Sequence, residues 1–186
     1  MTTTDPTRDL LAINPADATD ATIARSLGAI EDSRQRTLTL LEGMDEAALD
    51  WQRGDENSIG TLLYHVAAIE ADWLYCEVLT QAFPDDVVAL FPWNVLDDDG
   101  RLTHVSGRPL AEHLELLAEI RMRLLAAFQP MTLADFQTLR ALPSYDVSPE
   151  WVLHHLMQHE AEHRGQIDLT LTAFAADGAQ QPSASS

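Results

Sequence analysis

The stretch that decides the fold reads SPEWVLHHLMQHEAEHRGQIDLTLTAFA and covers residues 148–175. It opens with Ser148, a favourable N-cap, followed by Pro149, which suits a first helical turn, and by the acidic Glu150. The pattern predicts a long amphipathic helix with one buried stripe. The apolar residues that share this stripe are Val152, Leu156, Ile167, Leu171 and Phe174.

Two histidines continue the apolar stripe of this helix. His159 and His163 are four residues apart, which places their side chains one turn apart on the same face. Two imidazoles on a buried stripe are costly without partners, and a divalent metal bound through ring nitrogens satisfies both. His155 lies on nearly the same face one turn earlier, so spacing leaves open whether residues 155 and 159 or 159 and 163 form the pair.

A third ligand has to come from another part of the chain, because two ligands hold a metal poorly. A second helix is predicted at residues 58–81, beginning at the N-cap Ser58. His65 falls about 60° from Leu62 around this helix, at the edge of its buried stripe, and can face a neighbouring helix. Three histidines from two facing helices would leave coordination positions open for water or substrate, as in a reactive site.

Two more amphipathic helices are predicted at residues 20–43 and 109–128, with a short helical turn at residues 45–49. Strand-like alternation is scarce along the whole chain. The predicted fold class is therefore all-α, a four-helix bundle with one long crossover connection, in a single metal-binding domain at residues 17–175.

The segments between and outside these helices are polar or rich in proline. Residues 83–108 form the long connection, a candidate lid over one end of the bundle, and residues 130–147 form a second loop. Residues 1–16 and 176–186 are rich in small and polar side chains, and we expect a disordered arm and a disordered tail there.

The composition limits the classes of partner. Thirty acidic residues face eleven arginines and no lysine, for a net charge of −19, and such a surface repels nucleic acids and anionic membranes. No apolar run approaches the ~18 residues of a membrane helix, and the N-terminus has no signal-peptide pattern. The single cysteine, Cys76, excludes an internal disulfide and is predicted to be a small core residue. We expect a cytoplasmic protein.

The stretch from His159 to His163 also satisfies H-E-x-x-H, the zinc-protease pattern in which the glutamate is a general base. Residues 164–186 contain neither glutamate nor histidine to supply the usual downstream ligand, and the extended pattern would need a histidine where Leu169 stands. Few strands are predicted that could hold an extended peptide. These observations argue against a protease.

Two charged residues are further candidates for the site. Glu160 neighbours a predicted ligand and can act as a catalytic base, set the electrostatics of the site, or simply face solvent. Arg121 falls about 40° from Leu117, on the buried face of its helix. It can form an ion pair with an inward carboxylate such as Glu70, the simpler alternative, or bind the carboxylate of an anionic cofactor. Three other histidines are expected to face solvent or loops: His104, His113 and His154.

The stretch His155-x-x-x-His159-Glu-Ala-Glu-His163-Arg-Gly-Gln-Ile167 resembles the last helix of the DinB/YfiT-like superfamily, and NSIGTLLYHVAAIEADW at residues 57–73 resembles its second helix. The resemblance covers residues 20–175. It implies a four-helix bundle, often dimeric, whose divalent metal is held by one histidine of the second helix and two of the fourth. These correspond to His65, His159 and His163, which favours the 159/163 pair.

The resemblance also implies a class of activity. Characterised members include thiol S-transferases that use bacillithiol, mycothiol or similar thiols, among them maleylpyruvate isomerases. A low-molecular-weight thiol activated as a metal thiolate would then attack a small-molecule electrophile. Zinc is the expected metal, nickel the second choice, and iron is chemically suitable. The expected assembly is a homodimer. The alternatives are a non-catalytic metal-binding or stress-responsive helical dimer and a metal-dependent hydrolase.

Overall fold

A computed structural model describes residues 11–180, and its architecture is a bundle of four long helices. The predicted all-α class is confirmed. A 3₁₀ turn at Glu46–Ala48 matches the predicted turn, and a two-residue hairpin, β1 (Arg140–Ala141) with β2 (Asp146–Val147), is the one paired sheet in the described part. The helices in chain order are α1 (Ala21–Leu41), α2 (Ile59–Asp72), α3 (Asp85–Val88), α4 (Leu110–Phe128), α5 (Leu133–Gln137) and α6 (Pro149–Gln180).

The long helices begin where their capping residues predict. The Asp20 side chain accepts from the Thr22 backbone N–H before α1, and Ser58 accepts from that of Thr61 before α2. The hydroxyl of Ser148 likewise accepts from a backbone N–H in the first turn of α6. Gly43, just after α1, has a φ of +71°, the left-handed conformation that glycine adopts at little cost.

The second predicted helix changes its hydrogen-bonding pattern partway along. Its α-helical part ends at Asp72, and residues Trp73–Val78 continue as a π-helix. This change was not predicted, because the apolar stripe continues without interruption to Trp73. π-Helical segments are rare and are found mostly where a helix re-aims side chains at a site.

The core lies where the four long helices meet. α6 packs against α1 and α2, and α2 also packs against α4. Along the seam between α2 and α6, His65 contacts His159 and Trp73 contacts Trp151. Because the residue number rises by eight on one helix and falls by eight on the other, the two helices run antiparallel. Side chains that are fully buried in the core include Ile23, Leu27, Ile59, Leu62, Leu117, Leu124, Phe128 and Val152.

The two predicted loops contain short elements. The connection after α2 includes α3 and an isolated bridge between Leu96 and Leu102, and it is fixed to α2 where the hydroxyl of Tyr64 donates to the carbonyl of Trp93 at 2.7 Å. The second loop contains α5 and the hairpin. No described helix is both long enough and apolar enough to cross a membrane.

The ends of the described chain differ in part from the expected disorder. Residues just before α1 pack on it at Gly28, where a Cβ atom would clash with the carbonyl oxygen of Asn14. α6 continues to Gln180, five residues past the predicted end at Ala175. The rest of the predicted arm and tail, residues 1–10 and 181–186, lies outside the described residues.

Candidate metal centre

Three histidines converge in the seam between α2 and α6. Nε2 of His159 lies 3.1 Å from Nε2 of His65 and 3.1 Å from Nε2 of His163. All three offer one nitrogen within 4.8 Å of the others, and no other described histidine, cysteine or acidic residue joins this cluster. Each of the three histidines is half-buried.

The spacing of the three nitrogens fits a bound metal. In a tetrahedral site with metal–nitrogen bonds of about 2.0–2.1 Å, two ligand nitrogens lie about 3.3 Å apart. The separations in the cluster are close to this value. A neutral imidazole has only one N–H proton. Three ring nitrogens that point at each other therefore cannot all be joined by hydrogen bonds, and the arrangement is unfavourable on its own. The cluster can therefore hold a divalent ion.

Gln166 sets the orientation of one of the rings. Nδ1 of His163 donates to Oε1 of Gln166 at 2.8 Å, so the ring proton is on Nδ1 and the lone pair of Nε2 points into the cluster. A partner of this kind is common behind metal-binding histidines, where it fixes both tautomer and orientation. Nδ1 of His65 is buried and has no hydrogen-bond partner among the described residues.

Two of the three histidine rings, those of His65 and His159, are neutral at physiological pH. Burial, together with the neighbouring His163, lowers the pKa of His65 to about 4. Burial and then the adjacent His163 and His65 lower the pKa of His159 to about 3. A metal binds the neutral form of imidazole, so these two rings are already in the binding form and release no proton on ligation near pH 7.

His155, the alternative ligand, has a different place. Its ring stacks on Trp151 with an interplanar angle of 8° and a centroid distance of 5.1 Å, and it contacts Trp73 at 4.5 Å. It stands beside the cluster, with its centroid 6.0 Å from that of His159, and contributes no nitrogen to it. The structure therefore brings together residues 159 and 163 and leaves 155 in an aromatic contact.

A buried ion cluster lies on the other face of α6. Nε of Arg34 donates to Oε1 of Glu160 at 2.7 Å, and Nη2 of Arg34 donates to Oε2 of Glu70 at 2.8 Å. Arg121 donates to both oxygens of Glu70, at 2.8 and 3.0 Å, and to Oε2 of Glu160 at 3.1 Å. The two arginines and two glutamates are almost fully buried, and their charges balance. They connect all four long helices.

This ion cluster corrects two expected roles. Glu160 is 1% exposed, so it does not face solvent, and each of its oxygens accepts from an arginine, which holds the carboxylate inside the bundle and away from a substrate. Arg121 also donates to Glu31 and to the carbonyl of Ile30, so its five N–H groups are all engaged. It forms the expected pair with Glu70 and has no donor for a cofactor carboxylate.

Two residues that support the histidines were not predicted, Arg34 and Gln166. Arg34 follows Ile23, Leu27 and Ile30 on the apolar stripe of α1, so a charge in the interior could have been recognised from the helical period. Gln166 is exposed and carries no periodic signal, because its role depends only on its position three residues after His163.

Two residues outside the site are placed differently from what was expected. His113 was expected to face solvent or loops; it is 1% exposed and packs beside Gly60, and among the described residues neither ring nitrogen has a hydrogen-bond partner. Cys76 was expected in the core, but it is exposed and its thiol lies 3.5 Å from a carboxylate oxygen of Asp72. Partial burial of the sulfur, and then the carboxylate of Asp72, raise the pKa of this thiol to about 11. The thiol is therefore a poor nucleophile.

A family model for the DinB superfamily matches residues 29–167, which is more than half of the chain. The chain belongs to the DinB superfamily. A search of curated proteins found no match. The matched range contains all three histidines of the cluster and the whole of the buried ion cluster. The DinB assignment thus agrees with the helical fold and with a three-histidine site that can bind a metal.

Proposed function

We propose that this protein is a divalent-metal-dependent enzyme that joins a low-molecular-weight thiol to a small electrophile. The observation that carries the proposal is the convergence of three half-buried imidazoles, in which Nε2 of His159 lies 3.1 Å from Nε2 of His65 and 3.1 Å from Nε2 of His163. Three protein ligands leave at least one coordination position for a substrate, whereas closed structural sites use four. Zinc is the expected metal and nickel the second choice.

Each residue of the site has a part in this proposal. His65, His159 and His163 hold the metal, and Gln166 orients the last of these rings. A bound divalent cation would lower the pKa of a thiol that coordinates it, so that the nucleophile is available at neutral pH. The sulfur electron pair forms the new S–C bond, and the electrons of the broken bond depart with the leaving group.

The thiol proton goes to solvent in this scheme. The two buried carboxylates, Glu70 and Glu160, accept from both Arg34 and Arg121 and lie inside the bundle, away from solvent. In addition, both arginines hold the pKa of Glu70 below its usual value against the opposing effect of burial. The half-exposed histidines leave water access to the reacting sulfur.

A cavity next to Gln166 supports a thiol of tripeptide size. The cavity has a volume of about 660 Å³ and shares Gln166 with the site, since this side chain both lines the cavity and accepts from His163. Arg53, Asn57 and Thr170 supply donors for carboxylates or amides in its wall. A cavity of this size and polarity suits a peptide-like thiol better than a bare water molecule.

The metal site is tested by the His159→Ala variant with elemental analysis. Protein purified without chelator and without a nickel resin should contain about one metal per chain, and the variant should lose nearly all of it. His154→Ala is a matched control, because His154 is on the same helix but exposed. Unchanged metal content in the folded His159→Ala protein would defeat the proposed site.

The chemistry is tested with the metal-loaded protein, a panel of low-molecular-weight thiols and the electrophile monochlorobimane. We expect faster conjugation with at least one thiol, and loss of this acceleration in His159→Ala but not in His154→Ala. No acceleration across the panel, in protein that holds its metal, would favour a non-catalytic metal-binding dimer or a hydrolase that uses water in place of the thiol.

A further inference from the structure

Three aromatic rings line a second cavity along the seam between α2 and α6. Trp73, Tyr145 and Trp151, which we call the aromatic shelf, bound a cavity of about 390 Å³ together with Leu139 and Val147. The centroid of Trp73 lies 5.4 Å from that of Trp151 and 6.3 Å from that of Tyr145. Trp151 is 48% exposed and Tyr145 46%. Such a concentration of exposed aromatic surface in a concave site marks a place for a ligand.

The aromatic shelf is joined to the histidine cluster by His155. This ring stacks on Trp151, contacts Trp73, and lies next to His159. Trp73 follows His65 by eight residues, which corresponds to about 12 Å along the helix. A ligand whose ring lies on the shelf would therefore need a substituent of about this reach to bring a reactive carbon near the converging Nε2 atoms.

The shelf is built before any ligand binds. The hydroxyl of Tyr145 donates to Oε1 of the buried Glu77 at 3.0 Å, which fixes the tyrosine ring at the cavity wall. Trp73 is the first residue of the π-helical segment, so the change of helical pattern sets its direction. Rings that are held in place lose little freedom on binding, which favours affinity.

The charges around the shelf select against anions. Asp146 lines the cavity, no arginine or histidine does, and the whole chain carries a net charge of −19. An anionic ligand would have to lose hydration without gaining a positive partner. The faces of two indoles and a phenol instead suit an uncharged planar ring, through stacked or edge-to-face contacts.

We infer that the aromatic shelf is the subsite for the electrophile and that the electrophile carries an uncharged, planar aromatic ring. The assignment of this ligand as a substrate rests on the proposed function. Binding of the ring itself requires neither metal nor thiol, because the shelf contributes none of the three converging nitrogens. The two ideas can therefore fail separately.

Binding is tested by calorimetry with N-(2-naphthylethyl)acetamide, which is uncharged and unreactive, and with its decahydronaphthyl counterpart, which has similar bulk but no aromatic face. We expect the aromatic probe to bind at least fivefold more tightly than the saturated one. Its affinity should fall at least tenfold in Trp151→Ala and stay within twofold in Trp93→Ala, a control in which another half-exposed tryptophan is removed. Metal-free protein and His159→Ala should bind it normally.

Three results would overturn the inference: equal affinity for both probes, equal affinity in wild type and Trp151→Ala, or a wild-type dimer in sedimentation that dissociates in Trp151→Ala. The last result would make the shelf a contact between two copies of the chain. Circular dichroism checks that each variant is folded.

Turnover gives a second measurement. The two probes can also be made as iodoacetamides, one with the naphthyl ring and one with the saturated ring. Both carry the same reactive carbon, which forms the S–C bond and releases iodide. In Trp151→Ala we expect at least a tenfold rise in KM for the naphthyl compound, with kcat within twofold, and little change for the saturated compound. An equal rise in KM for both would overturn the assignment of the shelf as an aromatic subsite. If no compound turns over, the proposed function fails and the binding experiment alone decides the shelf.

Discussion

At the scale of single residues, the site depends on which ring nitrogen carries the proton. In His163 the Oε1 atom of Gln166 accepts from Nδ1, so the lone pair of Nε2 is available for a metal. Without this partner the ring could rotate or adopt the other tautomer. Either change would remove one ligand from the metal. The contribution of Gln166 is thus to preserve an orientation and not to add a contact to the metal.

The first prediction follows from this hydrogen bond. Gln166→Ala should keep the fold, because the side chain is exposed, and should lower the affinity for zinc by about 10- to 100-fold. Competition with a chelating indicator dye measures this affinity. Gln158→Ala is the matched control, since it removes an exposed glutamine from the same helix. Equal zinc affinity in both variants would show that Gln166 does not orient the ring.

A second prediction concerns His113. Burial, and then the positive charge of Arg108, lower the pKa of His113 to about 4, against a weaker opposing effect of Asp50. In the unfolded chain the pKa is about 6.5. Between these values the unfolded state binds a proton that the folded state does not, so the contribution of His113 to stability is lost as the pH falls from about 6.5 to 4.

The test is urea unfolding at pH 7 and pH 5 in the presence of a chelator. Wild type should lose more stability between these two values than His113→Leu does, because leucine removes the proton-binding group. The exposed His154→Leu should behave like wild type. Identical pH dependence of wild type and His113→Leu would contradict the assignment of a depressed pKa to this buried ring.

The positions of single residues could be predicted from the sequence where the helical period alone determines the face on which a side chain lies. The faces of His159 and His163 follow from their four-residue spacing, and His65 was placed at the edge of a stripe by the same rule. The partners of Glu160 and Arg121 could be identified only in part. Their side chains meet residues from three other helices, and no local pattern states which distant charges come together.

At the scale of elements, the buried ion cluster fixes the helices that carry the histidines. Glu70 is on α2, five residues after His65, and Glu160 is on α6, next to His159. Both carboxylates bind the same two arginines, from α1 and α4. Because the same arginines hold both Glu70 and Glu160 inside the bundle, the helices that carry His65 and His159 are held in place relative to each other.

The third prediction tests this cluster. Glu70→Gln should destabilise the protein by about 3–5 kcal/mol, because it leaves two buried guanidinium groups with a single charged partner inside the bundle. Glu31→Gln removes a partner of the same Arg121, but a half-exposed one, and should cost at most about 1 kcal/mol. Urea unfolding measures both. Similar losses in the free energy of unfolding for the two variants would mean that burial of the carboxylate does not determine the cost of removing its charge.

The elements themselves were predictable to different degrees. Caps and apolar stripes located the four long helices, including the start of α2 at Ser58 and the end of α4 at Phe128. The π-helical segment could not be found, since apolar spacing along the helix does not distinguish the two hydrogen-bond patterns. The hairpin at Arg140–Val147 is only two residues a side, too short to give an alternating pattern.

At the scale of the whole molecule, the histidine cluster joins two helices that are far apart in the chain. Residues 65 and 159 are separated by the whole of α4 and two long connections, and no described disulfide joins these segments. A metal that binds the folded state and not the unfolded chain adds its binding free energy to the stability of the bundle. The site should therefore influence folding as well as chemistry.

The last prediction measures this coupling. Free zinc at about 100 times its dissociation constant should raise the free energy of unfolding by about 2.7 kcal/mol relative to the metal-free protein. His65→Ala should lose this increment, because two ligands from one helix no longer join α2 to α6, whereas the exposed His154→Ala should keep it. Urea titrations with and without zinc give the difference for each protein. If zinc stabilised His65→Ala as strongly as wild type, the ion would be binding elsewhere, and the seam between α2 and α6 would not be its site.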